Sequence, residues 1–149
     1  MKNSNSIQKE MNKYHHGTHS IYLTQYHIVW CPKFRYPILG KRANRLKEIL
    51  YDVCDQYHYQ IKALEVMSDH VHIFVDIPQT VAPCDAVRTL KSLSAITLLK
   101  EDTELRLFYS KCGTLWSRGH FISSIGNISS ETVKKYIEAQ NGKKKAYQN

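Results

Sequence analysis

Closely spaced cysteines and long apolar runs are both missing from this sequence. Its four cysteines, at positions 31, 54, 84 and 112, include no C-x-x-C pair, so a four-cysteine zinc site of the usual spacing is not expected. No apolar run approaches the length that crosses a bilayer. The N-terminal stretch MKNSNSIQKEMNKYHHGTHS is polar throughout, so we expect neither a signal peptide nor a membrane anchor, and we expect a cytoplasmic location.

Acidic residues are scarce relative to basic ones. Asp and Glu total 13 against 21 Lys and Arg, which gives a net charge of +8. Such an excess favours a polyanionic partner, because each Lys or Arg placed on a phosphate releases condensed counterions. A soluble basic protein without such a partner would have the same charge. The 10 tyrosines, 4 phenylalanines and 2 tryptophans favour nucleic acid slightly, since aromatic faces stack on unpaired bases.

The chain shows no internal repeat and no sign of a second domain. Its 149 residues are enough for one domain with its own core. Residues 1–18 are polar and indicate a flexible arm, and residues 142–149 form a basic tail after Gly142. The predicted domain therefore spans residues 19–141.

The apolar pattern predicts six core elements and one further helix. We expect strands over residues 20–30, 60–68, 71–77 and 114–125, and helices over residues 41–58, 83–100 and from 129 or 130 to about 140. The order strand, helix, strand, strand, helix, strand is that of the split βαβ, ferredoxin-like fold. This α+β arrangement, shared with RNA-recognition modules, covers one face of an antiparallel four-stranded sheet with two helices. The added C-terminal helix carries Tyr136.

The stretch SDHVHIFVDIP, residues 68–78, places two histidines inside an apolar strand. Side chains alternate between the faces of a strand, so His70 and His72 share one face with Phe74 and Asp76. The other face is entirely aliphatic and is the natural core face: Val71, Ile73, Val75 and Ile77. We therefore expect a central strand whose histidines point to the open face of the sheet.

Two imidazoles at this spacing can bind one cation, although a pair of solvated surface histidines is the simpler alternative. A divalent ion would need at least one more ligand. In the last predicted helix, Tyr136 and Gln140 lie four residues apart and share a face. Taken alone, each is explained equally well as a packing tyrosine and a solvated glutamine. Asp69, beside the histidines, can orient a ligand or simply begin the strand.

Together these residues resemble a known family. His70-Val71-His72 resembles the motif of the HUH single-strand endonucleases, and Tyr136-x-x-x-Gln140 resembles the nucleophile helix of the single-tyrosine transposases among them. The stretches WCPKFR, SDHVHI and LWSRGHFISSIG are also similar to those of that family. The resemblance covers residues 18–141 and implies the ferredoxin-like fold.

The resemblance implies a transposase that cleaves and rejoins single-stranded DNA at the ends of insertion sequences through a 5′-phosphotyrosine. By resemblance, Tyr136 is the nucleophile, His70 and His72 are metal ligands, and Gln140 is the third ligand. The ion would be Mg²⁺ or Mn²⁺; oxygen-preferring Mg²⁺ is not the usual partner of imidazoles, and Mn²⁺ tolerates them better.

The resemblance also implies a DNA partner, a homodimer and a movable tyrosine helix. Relatives bind a DNA hairpin near the element end and form homodimers whose active sites combine the histidines of one subunit with the tyrosine of the other. Gly126 and Asn127 stand where such proteins hinge the tyrosine helix. Four basic residues are candidates for DNA backbone contacts, and each can equally be a solvated charge: Lys33, Arg35, Arg88 and Lys91.

Three other functions are compatible with parts of this pattern. A replication initiator or relaxase-type nickase shares the histidine motif, but places its tyrosine differently. A non-catalytic RNA-recognition-type module shares the fold and the positive charge. Such a module stacks bases on aromatic residues of its central strands, where this chain has His70 and His72. A histidine-triad hydrolase would need a histidine at position 74, where the chain has Phe74. Domesticated relatives associated with repeated palindromes cannot be separated from a mobile element's own enzyme by sequence.

Overall fold

The fold combines one four-stranded sheet with helices and a small hairpin. The computed structural model describes residues 14–124 and 135–139. Its elements are β1 (His15–His16), β2 (Ile21–Tyr22), β3 (Gln25–Trp30), α1 (Ala43–Tyr57), β4 (Gln60–Val66), β5 (Val71–Asp76), α2 (Pro83–Glu101), α3 (Thr103–Phe108) and β6 (Phe121–Ser123). Residues 135–139, here called the tyrosine helix, are also helical.

The sheet is antiparallel, with strands in the order β4-β5-β3-β6. Strand β5, which contains His72 and directly follows His70, therefore lies between two neighbours, as the sequence predicted. Val29 of β3 pairs with His72 on one side and with Phe121 of β6 on the other, while Glu65 of β4 also pairs with His72. An α+β fold with a four-stranded antiparallel sheet is confirmed.

The core lies between one face of the sheet and the two long helices. The alternate residues Val71, Ile73 and Val75 of β5 are fully buried, as predicted for its aliphatic face. The same cluster includes residues of β3 and of the helices, among them Ile28, Trp30, Leu46, Leu50, Val87 and Leu90. Each such side chain contributes about 1.5–3 kcal/mol on burial. The face that carries the histidines is thereby left on the other side of the sheet.

The ends of the long helices follow local signals. Helix α1 ends at Tyr57, and the left-handed backbone of the next residue, His58 (φ 61°), stops the helix. Helix α2 has Pro83 in its first turn and Asp85 near its N-terminus, where a carboxylate opposes the helix dipole. Both helices agree with their predicted ranges within two residues at either end.

Helix α3 was not predicted, because its six residues are too few for a clear apolar period. Asp102 caps it by accepting a 2.9 Å hydrogen bond from the Leu105 amide. The same carboxylate pairs with Arg42, whose Nε lies 2.5 Å from Oδ2. Arg42 is 8% exposed and Asp102 is 23% exposed, so this partly buried ion pair joins the start of α1 to α3.

Two predicted strands are shorter in the structure. The first begins at Gln25 rather than at residue 20, and the preceding residues instead form the hairpin of β1 and β2. His15 and His16, assigned by sequence to a flexible arm, pair in this hairpin with Tyr22 and Ile21. In the last strand, as far as residue 124 where this described range ends, only residues 121–123 join the sheet, while Trp116 forms an isolated bridge with Pro32.

Several predictions fall outside the described residues. These are the proposed hinge at Gly126 and Asn127, the third ligand Gln140, the first part of the arm at residues 1–13, and the tail at 142–149. Within residues 14–124 and 135–139, none of the helices has the length and apolar character that crossing a membrane requires.

Candidate active site

The open face of the sheet gathers three histidines rather than two. His70 immediately precedes β5, and His72 lies within it. His27 of β3 joins them, because it pairs directly with Phe74 and so shares the face of His72. The rings of His27 and Phe74 stack with centroids 4.2 Å apart and an interplanar angle of 5°.

Asp69 orients the first histidine. Its Oδ1 lies 2.9 Å from Nδ1 of His70, and both side chains are partly buried, at 23% and 17% exposure. A carboxylate at this position accepts the Nδ1–H and fixes the tautomer whose Nε2 carries the lone pair. Such a carboxylate–histidine pair is the usual support of a histidine that binds a metal ion.

The second histidine is held by His27. Nε2 of His72 lies 3.1 Å from Nδ1 of His27. The pKa of His72 is lowered, first by burial and then by the neighbouring His27, so the ring favours its neutral form. A neutral imidazole is the form that binds a metal ion. Sequence alone missed His27, since finding it requires the register between β3 and β5.

The histidine pair (His70 and His72) fits a divalent ion as a partial ligand set. Its two rings share one face, one is oriented by a carboxylate, and the other is neutral. Among the residues that the structure describes, no group of three or more histidine, cysteine, aspartate or glutamate side chains forms a metal cluster. The third ligand inferred from sequence, Gln140, is an amide and lies outside the described residues.

Tyr136 packs on the histidine side of the sheet with its hydroxyl enclosed. Its ring lies 6.1 Å from the ring of Phe121, centroid to centroid. Its hydroxyl oxygen is buried and has no hydrogen-bond partner in the described part of the chain. Burial, followed by the nearby Cys31, raises the pKa of Tyr136 well above its usual value. In this arrangement the phenol favours its neutral form.

The histidines and the tyrosine occupy the same face of the sheet. His72, Val29 and Phe121 form a row of paired residues across three strands. Two interstrand spacings separate His72 from Phe121, or about 10 Å. The ring of Tyr136 contacts Phe121 at one end of this row, with the two ring centroids 6.1 Å apart. The structure therefore places Tyr136 on the same face of the sheet as the histidines.

The basic turn at residues 33–35 lies beside this site. Nη1 of Arg35 donates a 3.2 Å hydrogen bond to the carbonyl of Ile137, in the tyrosine helix. Nε of the same side chain lies 3.3 Å from Oδ2 of Asp69. The Nε–H does not point at that oxygen, so this contact is an ion pair without a hydrogen bond. Nζ of Lys33 lies 5.7 Å from the ring centroid of Phe34.

The other two basic candidates lie on α2, which packs on the opposite face of the sheet. Arg88 is 75% exposed and pairs with Asp85 at 3.0 Å on its own helix. Lys91 is directed to backbone carbonyls and lies 2.7 Å from Ser117 O and 3.0 Å from Gly119 O. Burial lowers the pKa of Lys91. The structure thus places Arg35 beside the histidine pair, and Arg88 and Lys91 on the helix of the opposite face. The DNA contacts of all four basic residues stay predictions.

Asp76, which the sequence also placed on the histidine face, holds the N-terminal hairpin. Its carboxylate is buried, at 4% exposure, and Oδ2 lies 2.8 Å from Nε2 of His15. Gln25 donates to the same oxygen at 3.1 Å. This carboxylate is therefore occupied in anchoring β1 to the end of the sheet.

The chain belongs to the family of IS200-like transposases. The family model matches residues 20–140, which include the histidine pair, the basic turn and Tyr136. This confirms the resemblance to the HUH single-tyrosine transposases that the sequence indicated. Family membership makes the protein a DNA-binding enzyme of transposition that cuts and transfers DNA strands.

Individual relatives agree with this family. The chain is 35% identical over 138 residues to the ISDra2 transposase TnpA of Deinococcus radiodurans, covering 90% of this chain and 94% of that one. It is 26% identical over 123 residues to the transposase for insertion sequence element IS200 of Salmonella typhimurium, covering 82% and 80%. A crystal structure described as a transposase of Deinococcus radiodurans superposes with a TM-score of 0.78 at 29% identity, covering 85% of this chain and 97% of that one.

Proposed function

We propose that this transposase cleaves and rejoins single-stranded DNA at insertion-sequence ends, with Tyr136 as the nucleophile and the histidine pair as metal ligands. The observation that carries the proposal is the open face of the sheet. It presents an imidazole oriented by Asp69 and a second, neutral imidazole, on the same side as the tyrosine. We also assign the fold to the ferredoxin-like arrangement, which the strand order β4-β5-β3-β6 supports.

The proposed chemistry conserves the energy of the broken bond. The phenolic oxygen of Tyr136 forms a bond to the scissile phosphorus, the bond from phosphorus to the 3′-oxygen breaks, and that oxygen leaves as a 3′-hydroxyl with a proton. The phenol's own proton is lost to solvent or to a base. A different 3′-hydroxyl then attacks the 5′-phosphotyrosine and releases the phenol. No ATP is needed, because the phosphotyrosine retains the bond energy.

The histidine pair would hold Mg²⁺ or Mn²⁺, with Gln140 as a third ligand. When bound, such an ion neutralises charge on the non-bridging phosphate oxygens and favours in-line attack. The protein's own contribution is to position the ligands. Asp69 keeps Nε2 of His70 available, while burial keeps His72 neutral.

The tyrosine must leave its enclosed position before it can react. In the described arrangement its hydroxyl is buried and its pKa is raised, so a phosphate cannot reach an ionised phenol there. We propose that the tyrosine helix moves about a hinge at Gly126 and Asn127. The tyrosine then reaches the histidine pair of a second subunit in a homodimer, or that of its own subunit.

The DNA substrate proposed is a single strand that carries a hairpin near the element end. The net charge of +8 suits such a polyanion. Among the basic candidates, the location of Lys33 and Arg35 favours a contact with DNA, since the turn that carries them borders the histidine pair. Arg88 and Lys91 would contact DNA from the other face of the sheet.

The experiment that tests this function is incubation with single-stranded DNA ends and Mn²⁺, followed by denaturing electrophoresis. We expect a covalent protein–DNA adduct with the wild type. His70→Ala should bind the hairpin with unchanged affinity and form no adduct. Hairpin binding without an adduct in the wild type, across element ends and both metals, would favour a non-catalytic binding module instead.

A further inference from the structure

One guanidinium connects the two halves of the proposed active site. Arg35 bonds to the carbonyl of Ile137, the residue after the tyrosine, at 3.2 Å. It also pairs with Asp69 at 3.3 Å, and Asp69 in turn contacts Nδ1 of His70 at 2.9 Å. A continuous chain of polar contacts thus runs from the first metal-ligand histidine to the helix that carries the nucleophile.

We infer that Arg35 is a positioning residue that clamps the tyrosine helix to the histidine strand through Asp69 and so keeps Tyr136 in its enclosed position. This inference rests on the proposed function of Tyr136 and His70, and it adds a residue to which no role beyond DNA binding was assigned. The contact to Ile137 is a hydrogen bond from a charged donor to a backbone carbonyl. Such bonds are stronger than those between neutral groups.

The backbone of the basic turn is built to hold this side chain in place. Phe34 and Arg35 both have left-handed backbone angles, with φ of 64° and 54°. Among the described residues, only one other non-glycine residue has a positive φ, and that residue, His58, ends a helix. Non-glycine residues in this region cost about 1–3 kcal/mol each when the conformation is strained, and they persist where the surroundings enforce them.

The surroundings that enforce this turn are visible on both sides of it. The Lys33 amide donates to Leu115 O at 2.7 Å, and the Lys33 carbonyl accepts from the Tyr109 hydroxyl at 3.1 Å. The Arg35 amide closes the turn onto Pro32 O at 2.8 Å. With its backbone fixed at both ends, Arg35 projects its side chain from a fixed position toward Ile137 and Asp69.

Arg88 offers a matched control for simple loss of charge. Its guanidinium is 75% exposed and pairs at 3.0 Å with Asp85 of the same helix, on the far face of the sheet. Arg35→Gln and Arg88→Gln therefore remove the same charge and the same side-chain type. Only the first removes a contact to the tyrosine helix.

Hydrogen–deuterium exchange measured by mass spectrometry on the full chain, without DNA or metal, tests the clamp. We expect the peptide containing residues 135–139 to exchange roughly ten-fold faster in Arg35→Gln, as for the loss of one charge-assisted hydrogen bond. In Arg88→Gln it should exchange at the wild-type rate. The peptide containing β5 reports global stability, and its exchange should not change in either variant.

Asp69→Asn provides a second, independent variant. The amide oxygen can still accept from His70 Nδ1, but the charge that anchors Arg35 is removed. We expect faster exchange at residues 135–139, and no further increase when Asp69→Asn is combined with Arg35→Gln, because both act on one contact chain. Additive effects of the two substitutions would overturn the coupling.

Three results would overturn the clamp itself. The peptide containing residues 135–139 could exchange at the wild-type rate in Arg35→Gln, or it could exchange faster by the same factor in Arg88→Gln. The third result would be an equal rise in the exchange rate of the β5 peptide in Arg35→Gln. If Arg35→Gln does not fold, Arg35→Lys keeps the charge but cannot reach both partners, and it should show the same local effect in smaller measure. Because the measurement needs no DNA, it stands apart from the adduct assay. A missing adduct would refute the proposed nucleophile and leave the clamp result unchanged.

Discussion

Removal of the Tyr136 hydroxyl should stabilise the protein while it abolishes the adduct. The hydroxyl oxygen is enclosed and has no hydrogen-bond partner in the described part of the chain. Burying a polar group without a partner costs about 1–3 kcal/mol. Because Tyr136 as a whole is only half-buried, we expect Tyr136→Phe to raise the free energy of unfolding by about 1 kcal/mol, near the lower end of that range.

Tyr109 supplies the matched control for this substitution. It is 3% exposed, and its hydroxyl donates to Lys33 O at 3.1 Å. Tyr109→Phe removes the same oxygen but leaves a carbonyl without its donor, so it should lower the free energy of unfolding by about 0.5–1.5 kcal/mol. Two chemically identical substitutions should therefore change stability in opposite directions.

Urea denaturation followed by tryptophan fluorescence measures both variants. A change of 1 kcal/mol corresponds to a shift of about 2–4 °C in Tm for a chain of this size, so thermal scans provide a second reading. Loss of stability in Tyr136→Phe, equal to that of Tyr109→Phe, would refute the reasoning. Such a result would mean that the Tyr136 hydroxyl has a hydrogen-bond partner in the folded protein.

Three further predictions concern the fold and the metal. Asp102→Asn should lower stability by about 2 kcal/mol at pH 7, because Arg42 loses the charge of its nearest carboxylate. Arg42 keeps its 2.7 Å hydrogen bond to the Ile38 carbonyl and its longer contact with Glu104. The hydrogen bond from Arg42 lowers the pKa of Asp102, so this contribution is fully present above about pH 4 and is lost as pH falls through the lowered pKa; the urea midpoints of wild type and variant should approach each other as pH falls below about 4. Ser94→Ala should cost about 1–2 kcal/mol in the same assay, because the Trp116 indole loses its 3.1 Å acceptor. His72→Ala should weaken Mn²⁺ binding at least ten-fold by electron paramagnetic resonance, and equal affinity would contradict its role as a ligand.

Alternation along β5 made the centre of the fold predictable. Valine and isoleucine at every second position define a core face, and that face is buried in the structure. Helix α3 and the hairpin of β1 and β2 were missed for a common reason. Both are short, and both are stabilised by contacts distant in sequence, such as Asp102 with Arg42 and His15 with Asp76. Local pattern carries no information about such partners.

Some residues of the candidate site were also predictable from sequence, whereas others could be found only in the folded structure. The histidine pair and Tyr136 were predicted from their resemblance to the motifs of a known family, and the structure places them on one face of the sheet. His27 could be found only once the register of β3 against β5 was known. The contact between Arg35 and Ile137 joins residues 102 positions apart, so Arg35 could be identified from sequence only as a basic residue suited to DNA. Its position beside Asp69 is a property of the fold.

Peptide mass spectrometry of the trapped adduct tests the central claim most directly. Wild-type protein is incubated with a single-stranded element end and Mn²⁺, digested with protease and nuclease, and searched for the nucleotide mass. We expect a 5′-phosphonucleotide attached to Tyr136 and to no other of the 10 tyrosines. A nucleotide attached to a different residue, or an adduct of undiminished yield in Tyr136→Phe, would contradict the account.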